Sequence, residues 1–307
     1  MKKISFNEKY EYINNKTGDV LKNNEDIDKA IISKGGFSDV YRIRDKDVKT
    51  EFILKKTKNY SKIPYLPDET KMLKDSFVNE KNFLIAVKGT NILNIIDYYF
   101  DDEKNYSLIL EKMDGNLDDM LKNSKNGRMP SKLIRKISSQ INSGLKIMLK
   151  NEQAHRDLKP ENILFSYTND EKTDFIIKIG DFGLAKNLVS TKTVSNQGTE
   201  LFKAPEIEKG KSSNKCDLYS IGIILYLLKT GEYIFGKTWD EIKKNKKENN
   251  IKKYTNDEEL NDLIKKLVVI DPHKRMEWDD YFAHPFFKVN EEDDKDVKES
   301  KECKIKN

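Results

Sequence analysis

The sequence predicts an α+β fold in which a small antiparallel sheet carrying one helix precedes a mainly helical domain. Three observations predict it. Runs rich in β-branched and aromatic residues, bounded by turn residues, recur up to residue 113. Beyond that point, apolar residues recur mainly at helical spacing. The length of 307 residues suits one large domain or a closely joined pair.

The first part of the chain divides into a polar extension and a sheet. Residues 1–27 are rich in Asn and Lys and only weakly periodic, so we interpret them as an N-terminal extension. Residues 28–113 contain the strand-like runs AIISKGGFSDVYRI, TEFILKK, ILNIIDYYF and YSLILEKM, which predict antiparallel strands. A helical stripe of apolar residues across 69–87 predicts one helix within this sheet domain.

The second domain is predicted to span residues 114–287, after a short linker that begins at Met113. A short β-rich run lies at 174–179, and helical periodicity is clearest in three stretches, 131–150, 217–229 and 258–269. The final residues, 288–307, are almost wholly charged, so we expect this tail to be disordered.

Composition excludes several classes of protein. The 57 basic and 52 acidic side chains are interleaved and sum to +5, so no single-sign field indicates nucleic-acid binding. Two cysteines far apart in sequence fit neither a disulfide framework nor a zinc site. The best apolar run, Ile221 to Leu228, is too short to span a bilayer. We expect a soluble cytoplasmic protein without a membrane partner, with the nucleus as an open alternative.

The strongest functional signal is the segment HRDLKPEN, residues 155–162. A charged surface turn followed by a strand would explain each residue singly but not all eight together. The segment resembles the catalytic loop of eukaryotic-type protein kinases, H-R-D-x-x-x-x-N. Phosphoryl transfer needs a carboxylate near the attacking hydroxyl and a ligand for Mg²⁺ a few residues further on. The resemblance assigns these roles to Asp157 and Asn162.

A second kinase-like motif, Asp181-Phe182-Gly183, follows Asn162 by nineteen residues and comes directly after the β-rich run FIIKIG. A lone motif of this kind is usually an ordinary Asp-containing turn, but its distance from the catalytic loop favours the kinase interpretation. The resemblance implies that Asp181 and Asn162 hold Mg²⁺ against the phosphates of ATP, through the hard oxygen ligands that suit this ion.

A glycine-containing segment at residues 33–40, SKGGFSDV, resembles the kinase loop that covers the phosphates of ATP, G-x-G-x-x-G-x-V. Serine replaces its first and third glycines. Gly35 keeps the central position, where the backbone must approach the phosphates without a Cβ. Alone, the segment would indicate a simple hairpin. The resemblance assigns nucleotide binding to Ser33, Lys34, Gly35, Gly36, Phe37, Ser38 and Val40.

Lys55 ends the run FILK, fifteen residues after Val40, and resembles the kinase lysine that orients the α- and β-phosphates. Lys56 competes for this role, but strand alternation favours Lys55. Glu80, in the predicted helix, is expected to pair with Lys55. Isoleucine at position 53 replaces the usual alanine, which predicts a narrower nucleotide pocket. The resemblance implies further nucleotide contacts from Ile53, Leu110, Glu111, Met113 and Leu164.

The segment GTELFKAPE, residues 198–206, resembles the end of the kinase activation loop. In serine/threonine kinases, a threonine placed like Thr199 steadies the catalytic aspartate, and a lysine placed like Lys159 reaches the γ-phosphate. The family's arginine that pairs with the Glu206 position in a bidentate contact corresponds here to Arg275. These features favour serine/threonine specificity over tyrosine specificity.

Two further residues concern the control of the catalytic loop. Asp217 resembles the aspartate that braces the main chain of this loop. Arg156 implies regulation, because in kinases with this residue a phosphate in the activation loop neutralises it. The best-placed acceptors, for an upstream kinase or for autophosphorylation, are Ser195 and Thr193. Residues Ser190 and Thr191 are alternatives, and all four also fit a merely polar loop.

The resemblance covers about residues 28–287 and identifies the chain as a member of the eukaryotic-type protein kinase family. It implies a bilobal protein-kinase-like fold, ATP and Mg²⁺ as cofactors, and phosphoryl transfer to Ser and Thr hydroxyls of protein substrates. Two alternatives stay open. One is a pseudokinase acting as a binding module, supported only by Ile53 and the two loop serines. The other is a small-molecule phosphotransferase of kinase-like fold.

Overall fold

The chain divides into two compact units. The N-terminal unit comprises Met1–Lys88 and Ile92–Met113, and the C-terminal unit comprises Gly89–Asn91 and Asp114–Asn307. The structure is a computed structural model, and it describes residues 5–22, 24–35, 38–58, 67–100, 106–182, 201–208, 213–236, 238–248, 250–251 and 255–288. The first unit holds an antiparallel sheet with one long helix and the second is mainly helical, which confirms the predicted fold class.

The N-terminal unit is built on a six-stranded sheet. Its strands run in the order β1-β3-β4-β6-β5, all neighbours are antiparallel, and β2 also pairs with β3. A 3-10 helix spans Asn24–Ala30. The strands and helices are α1 (Phe6–Lys9), β1 (Tyr10–Tyr12), β2 (Ile31–Lys34), β3 (Ser38–Asp45), β4 (Glu51–Thr57), α2 (Pro67–Ala86), β5 (Ile95–Phe100) and β6 (Tyr106–Glu111).

Strand alternation gives this sheet two different faces. One face carries a buried cluster of Tyr10, Ile43, Leu54 and Ile109, with further aromatic rings packed against it. Lys55 follows Leu54 and therefore points to the opposite face, as the sequence predicts. The two faces thus separate the hydrophobic cluster of the sheet from the residues assigned to the nucleotide.

The polar extension at the N-terminus contributes to this sheet, which its composition did not predict. Tyr10 belongs to the hydrophobic cluster, Phe6 and Tyr12 pack against it, and β1 pairs with β3 over Ile43–Asp45. Tyr10 is 2% exposed. Three aromatic residues are enough to attach this short segment to the sheet although the extension is rich in Asn and Lys.

The C-terminal unit is built around two long helices. A small antiparallel sheet of three strands, in the order β7-β8-β9, lies beside them in this unit. Short 3-10 helices span Lys125–Gly127, Pro160–Asn162 and Pro285–Phe287. The strands and helices are β7 (Gly115–Asn116), α3 (Leu117–Lys122), α4 (Ser131–Lys150), β8 (Ile163–Tyr167), β9 (Phe175–Ile179), α5 (Pro205–Glu208), α6 (Cys216–Thr230), α7 (Trp239–Glu248), α8 (Glu258–Leu267) and α9 (Trp278–Phe282).

The two long helices bury their surfaces differently. Helix α4 is amphipathic and buries Ile134, Ile137, Ile141 and Leu145, at the spacing that forms one apolar stripe. Helix α6 is buried on all sides from Cys216 to Leu228, so it forms the centre of the unit. Among the described residues, no helix combines the length and the hydrophobicity that crossing a bilayer requires.

Candidate active site

Asp217, in the first turn of α6, holds the main chain of the catalytic loop. Its Oδ2 accepts a hydrogen bond from the His155 N–H at 2.7 Å, and its Oδ1 accepts one from the Arg156 N–H at 2.7 Å. The carboxylate is 2% exposed. Arg156 has a φ of 69°, a left-handed conformation that costs energy for a non-glycine residue. The two bonds to Asp217 stabilise this strained turn, as the sequence predicts.

His155 connects the catalytic loop to the segment that carries Asp181. Its Nδ1 accepts a hydrogen bond from the Asp157 N–H at 3.3 Å, so Nε2 carries the proton and donates to the Gly180 oxygen at 2.8 Å. The imidazole ring lies 5.2 Å from the ring of Phe182, which is fully buried. These contacts fix the two predicted catalytic segments relative to each other.

Asp157 lies at the centre of a compact polar cluster. Asn162 Nδ2 donates to the Asp157 main-chain oxygen at 2.8 Å and to its Oδ2 at 3.3 Å. Lys159 Nζ lies 3.2 Å from the same Oδ2. Burial raises the pKa of Asp157, the charge of Lys159 opposes this change, and the charge of Asp181 adds to it. The arrangement suits a carboxylate that accepts a proton while a nearby cation keeps it ionised.

The donor atoms at this site fit a magnesium ion. Because Nδ2 of Asn162 is engaged as a donor, Oδ1 is the atom that Asn162 can offer to a cation. Asp181 adds a carboxylate and has a φ of 60°, a strained conformation of the kind found at functional sites. The described residues contain no group of three or more His, Cys, Asp or Glu side chains able to hold a metal. Two protein oxygens with phosphates as additional ligands match the usual coordination of Mg²⁺.

Two amide side chains that the sequence analysis missed support the strand leading to Asp181. Asn91 Nδ2 donates to the Ile177 oxygen at 2.7 Å, and Gln140 Oε1 accepts from the Ile177 N–H at 2.8 Å. Gln140 Nε2 also donates to the Phe175 oxygen at 3.3 Å. These side chains supply hydrogen bonds to backbone groups on the edge of β9 that faces away from β8, where no strand of this sheet pairs. No sequence motif indicates these two residues, because a glutamine in an amphipathic helix usually lies on the protein surface.

In the N-terminal unit, Lys55 and Glu80 form the ion pair expected from the sequence. Lys55 Nζ lies 2.8 Å and 2.9 Å from the two carboxylate oxygens of Glu80. Glu80 is 3% exposed, because it lies on the buried face of α2 between Phe77 and Leu84. The structure therefore favours Lys55 over its neighbour Lys56 for the predicted role.

Val40, Ile53 and Leu110, three of the residues predicted to bind the nucleotide, share the face of Lys55. Val40 lies directly opposite Lys55, and Leu110 lies directly opposite Ile53. Glu111 ends β6, where its N–H donates to the Asn94 oxygen at 3.1 Å. Met113 is the last residue of this unit. The remaining predicted contact, Leu164, lies in β8 of the C-terminal unit.

The glycine-containing segment forms a hairpin between β2 and β3. Ser33 pairs with Val40 and Lys34 pairs with Asp39. The Gly35 N–H donates to the Ser38 oxygen at 2.9 Å, and a Cβ on Gly35 would lie only 2.7 Å from that oxygen. Glycine is therefore required at this position. Two predicted contacts, Gly36 and Phe37, lie outside the described residues.

A buried ion pair supports the end of the predicted activation segment. Arg275 binds Glu206 in a bidentate contact, with N···O distances of 2.6 Å and 3.0 Å. The guanidinium also donates twice to the Val269 oxygen and once to the Lys215 oxygen, so all five of its N–H groups are used. Thr199, Ser195, Thr193, Ser190 and Thr191 lie outside the described residues.

The predicted site residues form two groups. Lys55, Glu80 and the hairpin belong to the N-terminal unit. Asp157, Lys159, Asn162 and Asp181 belong to the C-terminal unit. Within each unit the structure brings the expected side chains together, and the binding of one triphosphate by both groups stays a prediction.

The chain is similar to protein kinases in both of the comparisons that follow. The model of the family "Protein kinase domain" matches residues 27–287. Calcium-dependent protein kinase 4 of Plasmodium falciparum (isolate 3D7) is 32% identical over 273 residues, which cover 84% of this chain and 48% of that protein. Probable serine/threonine-protein kinase fhkC of Dictyostelium discoideum is 32% identical over 256 residues, covering 75% of this chain and 40% of that protein. The chain thus spans about half or less of the length of these curated relatives.

Serine/threonine-protein kinase TIO of Arabidopsis thaliana is 29% identical over 275 residues, covering 86% of this chain and 19% of that protein. The family match covers nearly all the described residues, including both groups of site residues. The family implies ATP as the phosphoryl donor, a divalent metal and protein substrates. The chain belongs to the protein kinase domain family, which confirms the family that the motifs predicted.

Proposed function

We propose that this chain is an ATP-dependent serine/threonine protein kinase that transfers the γ-phosphoryl group of Mg-ATP to Ser and Thr hydroxyls of protein substrates. The main support for this proposal is the polar cluster of Asp157, Lys159 and Asn162. Lys159 and Asn162 both lie within 3.3 Å of its Oδ2, on a loop whose main chain is bonded to the buried Asp217. A general base, a cation for the γ-phosphate and a metal ligand are the groups that phosphoryl transfer requires.

In this proposal Asp157 accepts the proton of the substrate hydroxyl as the oxygen attacks the γ-phosphorus. Burial raises the pKa of this carboxyl and so makes its anion a better proton acceptor. Lys159 stabilises the ionised form and contacts the γ-phosphate in the transition state. Because Lys159 already lies 3.2 Å from Asp157, base and phosphate contact are positioned together.

In this proposal, nucleotide-binding roles are assigned to residues within each unit separately. Lys55, fixed by Glu80, contacts the α- and β-phosphates, while Gly35 allows the hairpin backbone to approach them. Asn162 and Asp181 supply oxygens to the metal site. Mg²⁺, when bound there, neutralises charge on the β- and γ-phosphates.

The acceptor class follows from the catalytic loop and from the relatives. Lys159 stands at the position that distinguishes serine/threonine kinases, and the relatives from Dictyostelium discoideum and Arabidopsis thaliana are named as serine/threonine kinases. Glu161, in the catalytic loop, presents an exposed carboxylate. A negative charge there favours basic residues near the acceptor of the substrate.

We also propose that a phosphate on Ser195 or Thr193 activates the enzyme through Arg156. The bond from the Arg156 N–H to Asp217 fixes this residue within the catalytic loop, so neutralising its side chain would act directly beside Asp157. Phosphopeptide mapping of the active enzyme tests this. Modification of Ser195 or Thr193 is expected, and an active enzyme unmodified between Asp181 and Glu206 contradicts it.

The test of the main proposal is a peptide array with Mg²⁺ and γ-labelled ATP. Each peptide is offered in three forms that differ only in Ser, Thr or Tyr as the acceptor. We expect label on Ser and Thr forms, no label on Tyr forms, and loss of label with Asp181→Asn. Absence of label on every peptide, combined with no thermal shift by Mg-ATP, would support a pseudokinase. A ligand at 100 times its Kd stabilises by about 2.7 kcal/mol.

A further inference from the structure

The N-terminal extension completes the outer edge of β3. Strand β2 pairs with β3 at Asp39–Tyr41, and β1 pairs with the remaining part at Ile43–Asp45. The Ile13 N–H donates to the Arg42 oxygen at 3.0 Å, at the junction between the two pairings. Without the extension, half of this edge would present unpaired backbone groups. The extension is thus part of the structure that carries the glycine-containing hairpin.

Residues 10–21, which we call the N-terminal strap, fold back on themselves. Asn14 accepts hydrogen bonds from the N–H groups of Lys16 and Thr17 through its side-chain oxygen, at 2.9 Å and 3.2 Å. The Leu21 N–H donates to the Tyr12 oxygen at 2.9 Å, and Ile13, which is fully buried, bridges to Val20. The strap therefore has a defined conformation of its own, closed by an Asx turn.

The strap also binds the start of β2. The Asn15 N–H donates to the Lys29 oxygen at 2.8 Å, and Asn15 Nδ2 donates to the Ile31 oxygen at 3.4 Å. Lys29 and Ile31 lead directly into the first strand of the hairpin. Through Asn15 and β1, the strap contacts both strands of the hairpin at their base.

An ion pair and a ring contact reinforce this attachment. Arg44 donates to Glu11 Oε1 from Nε at 3.0 Å and from Nη2 at 2.8 Å, between directly opposed residues of β3 and β1. Both side chains are mostly buried, at 28% and 18% exposure. Tyr12 packs edge-on against Tyr41 of β3 with 5.7 Å between ring centroids. Two of the six arginines of the chain, Arg42 and Arg44, donate hydrogen bonds to the strap.

We propose that the N-terminal strap is a positioning element for ATP: it fixes the base of the β2–β3 hairpin, so that the hairpin is already arranged for the nucleotide before ATP binds. The inference rests on the proposed function. Residues Ser33, Gly35 and Val40, which are among those assigned to the nucleotide, belong to this hairpin, so we infer that their positions depend on its base. When only a fraction of molecules holds a binding-competent hairpin, the apparent Kd rises in inverse proportion to that fraction. Saturating ATP selects the competent form, so kcat is unaffected.

Charge reversal in the full-length chain tests this inference. Glu11→Arg and Arg44→Glu each place like charges opposite one another, and the double variant restores an ion pair of reversed sense. We expect each single variant to raise the Kd of Mg-ATP and its KM about fivefold with kcat within about twofold, and the double variant to recover most of the loss. Asn15→Ala, which keeps the ion pair, is expected to raise KM in the same direction.

Lys266→Glu is the matched control, because it likewise places like charges together, beside Asp262 in an exposed ion pair of helix α8 in the other unit. We expect it to leave the KM for ATP unchanged. Urea unfolding, measured on every variant, separates loss of positioning from loss of the fold. The inference is overturned if folded single variants bind Mg-ATP like the wild type, or if kcat falls while KM stays constant. If the wild type itself neither binds nor uses Mg-ATP, the proposed function fails instead.

Discussion

Asn162 donates hydrogen bonds from Nδ2 to both the main-chain oxygen and the carboxylate of Asp157. The residue assigned to the metal therefore also fixes the loop that carries the general base. In addition, the Asn162 main-chain oxygen accepts a bond from the Gly180 N–H at 2.9 Å, one residue before Asp181. One short segment thus links the residues proposed for metal ligation and for proton acceptance.

Asn162→Ala is expected to weaken both functions of this residue. The variant removes Oδ1 from the metal site and leaves the buried Asp157 oxygen without its donor, which costs about 1–3 kcal/mol. We predict that the Mg²⁺ concentration for half-maximal rate rises and that kcat falls, each by about tenfold or more. Steady-state kinetics over a Mg²⁺ titration measures both. Asn169→Ala, in an exposed turn, is the control, and an unchanged Mg²⁺ requirement for Asn162→Ala would contradict the assignment.

Arg275→Lys is expected to destabilise the C-terminal unit. Lysine keeps the charge but cannot reproduce five N–H donors in one plane, so Glu206 and the Val269 oxygen lose partners in a buried environment. We predict a loss of about 3 kcal/mol in the free energy of unfolding, measured by urea denaturation. Arg128→Lys, at an exposed position, should stay within about 0.5 kcal/mol of the wild type. Equal stability of the two variants would contradict a requirement for the planar guanidinium of Arg275.

Asp217→Asn tests how far the catalytic loop depends on its anchor. One carboxylate oxygen becomes an NH₂ donor, so the N–H of either His155 or Arg156 loses its acceptor. Because small displacements of a reacting group cost about 100-fold, we predict that kcat falls by about 10- to 100-fold while Mg-ATP binding is nearly unchanged. Asp279→Asn, on an exposed part of α9, is the control. A variant with wild-type kcat would exclude a positioning role for Asp217.

With Asp157 as the proposed general base, we expect the pH dependence of kcat/KM to report its ionisation. Only the ionised carboxylate accepts a proton, so the rate falls as pH drops through its pKa. Burial raises this pKa above the ordinary value of 3.8, and the Lys159 charge opposes that change. Lys159→Met removes the opposing charge, so we predict that the acidic limb of the pH profile moves to higher pH. A limb that moves to lower pH would contradict this account.

Features set by residues close together in the sequence could be predicted from the sequence. Helix α4 covers the predicted residues 131–150, and β9 lies within 174–179, because both follow local periodicity. The choice of Lys55 over Lys56 follows from strand alternation in the same way. These features require no knowledge of distant residues.

Long-range contacts escaped prediction. The pair Glu11–Arg44 joins residues 33 positions apart, and the bond from Asn91 to Ile177 spans 86. Nothing in the local sequence marks Asn91 or Gln140 as supports of β9. Such contacts depend on which elements become neighbours in the folded chain. Local periodicity and motif spacing do not show which side chains meet across them.

The role of Asp157 as general base is tested by single-turnover transfer of labelled γ-phosphate, with wild type and Asp157→Ala compared. We expect a rate lower by about 10²- to 10⁴-fold in the variant, the usual contribution of a general base. Mg-ATP binding should be nearly unchanged, and Asp170→Ala, in an exposed turn, should transfer at the wild-type rate. Equal transfer by Asp157→Ala and the wild type would contradict the assignment of Asp157 as the base.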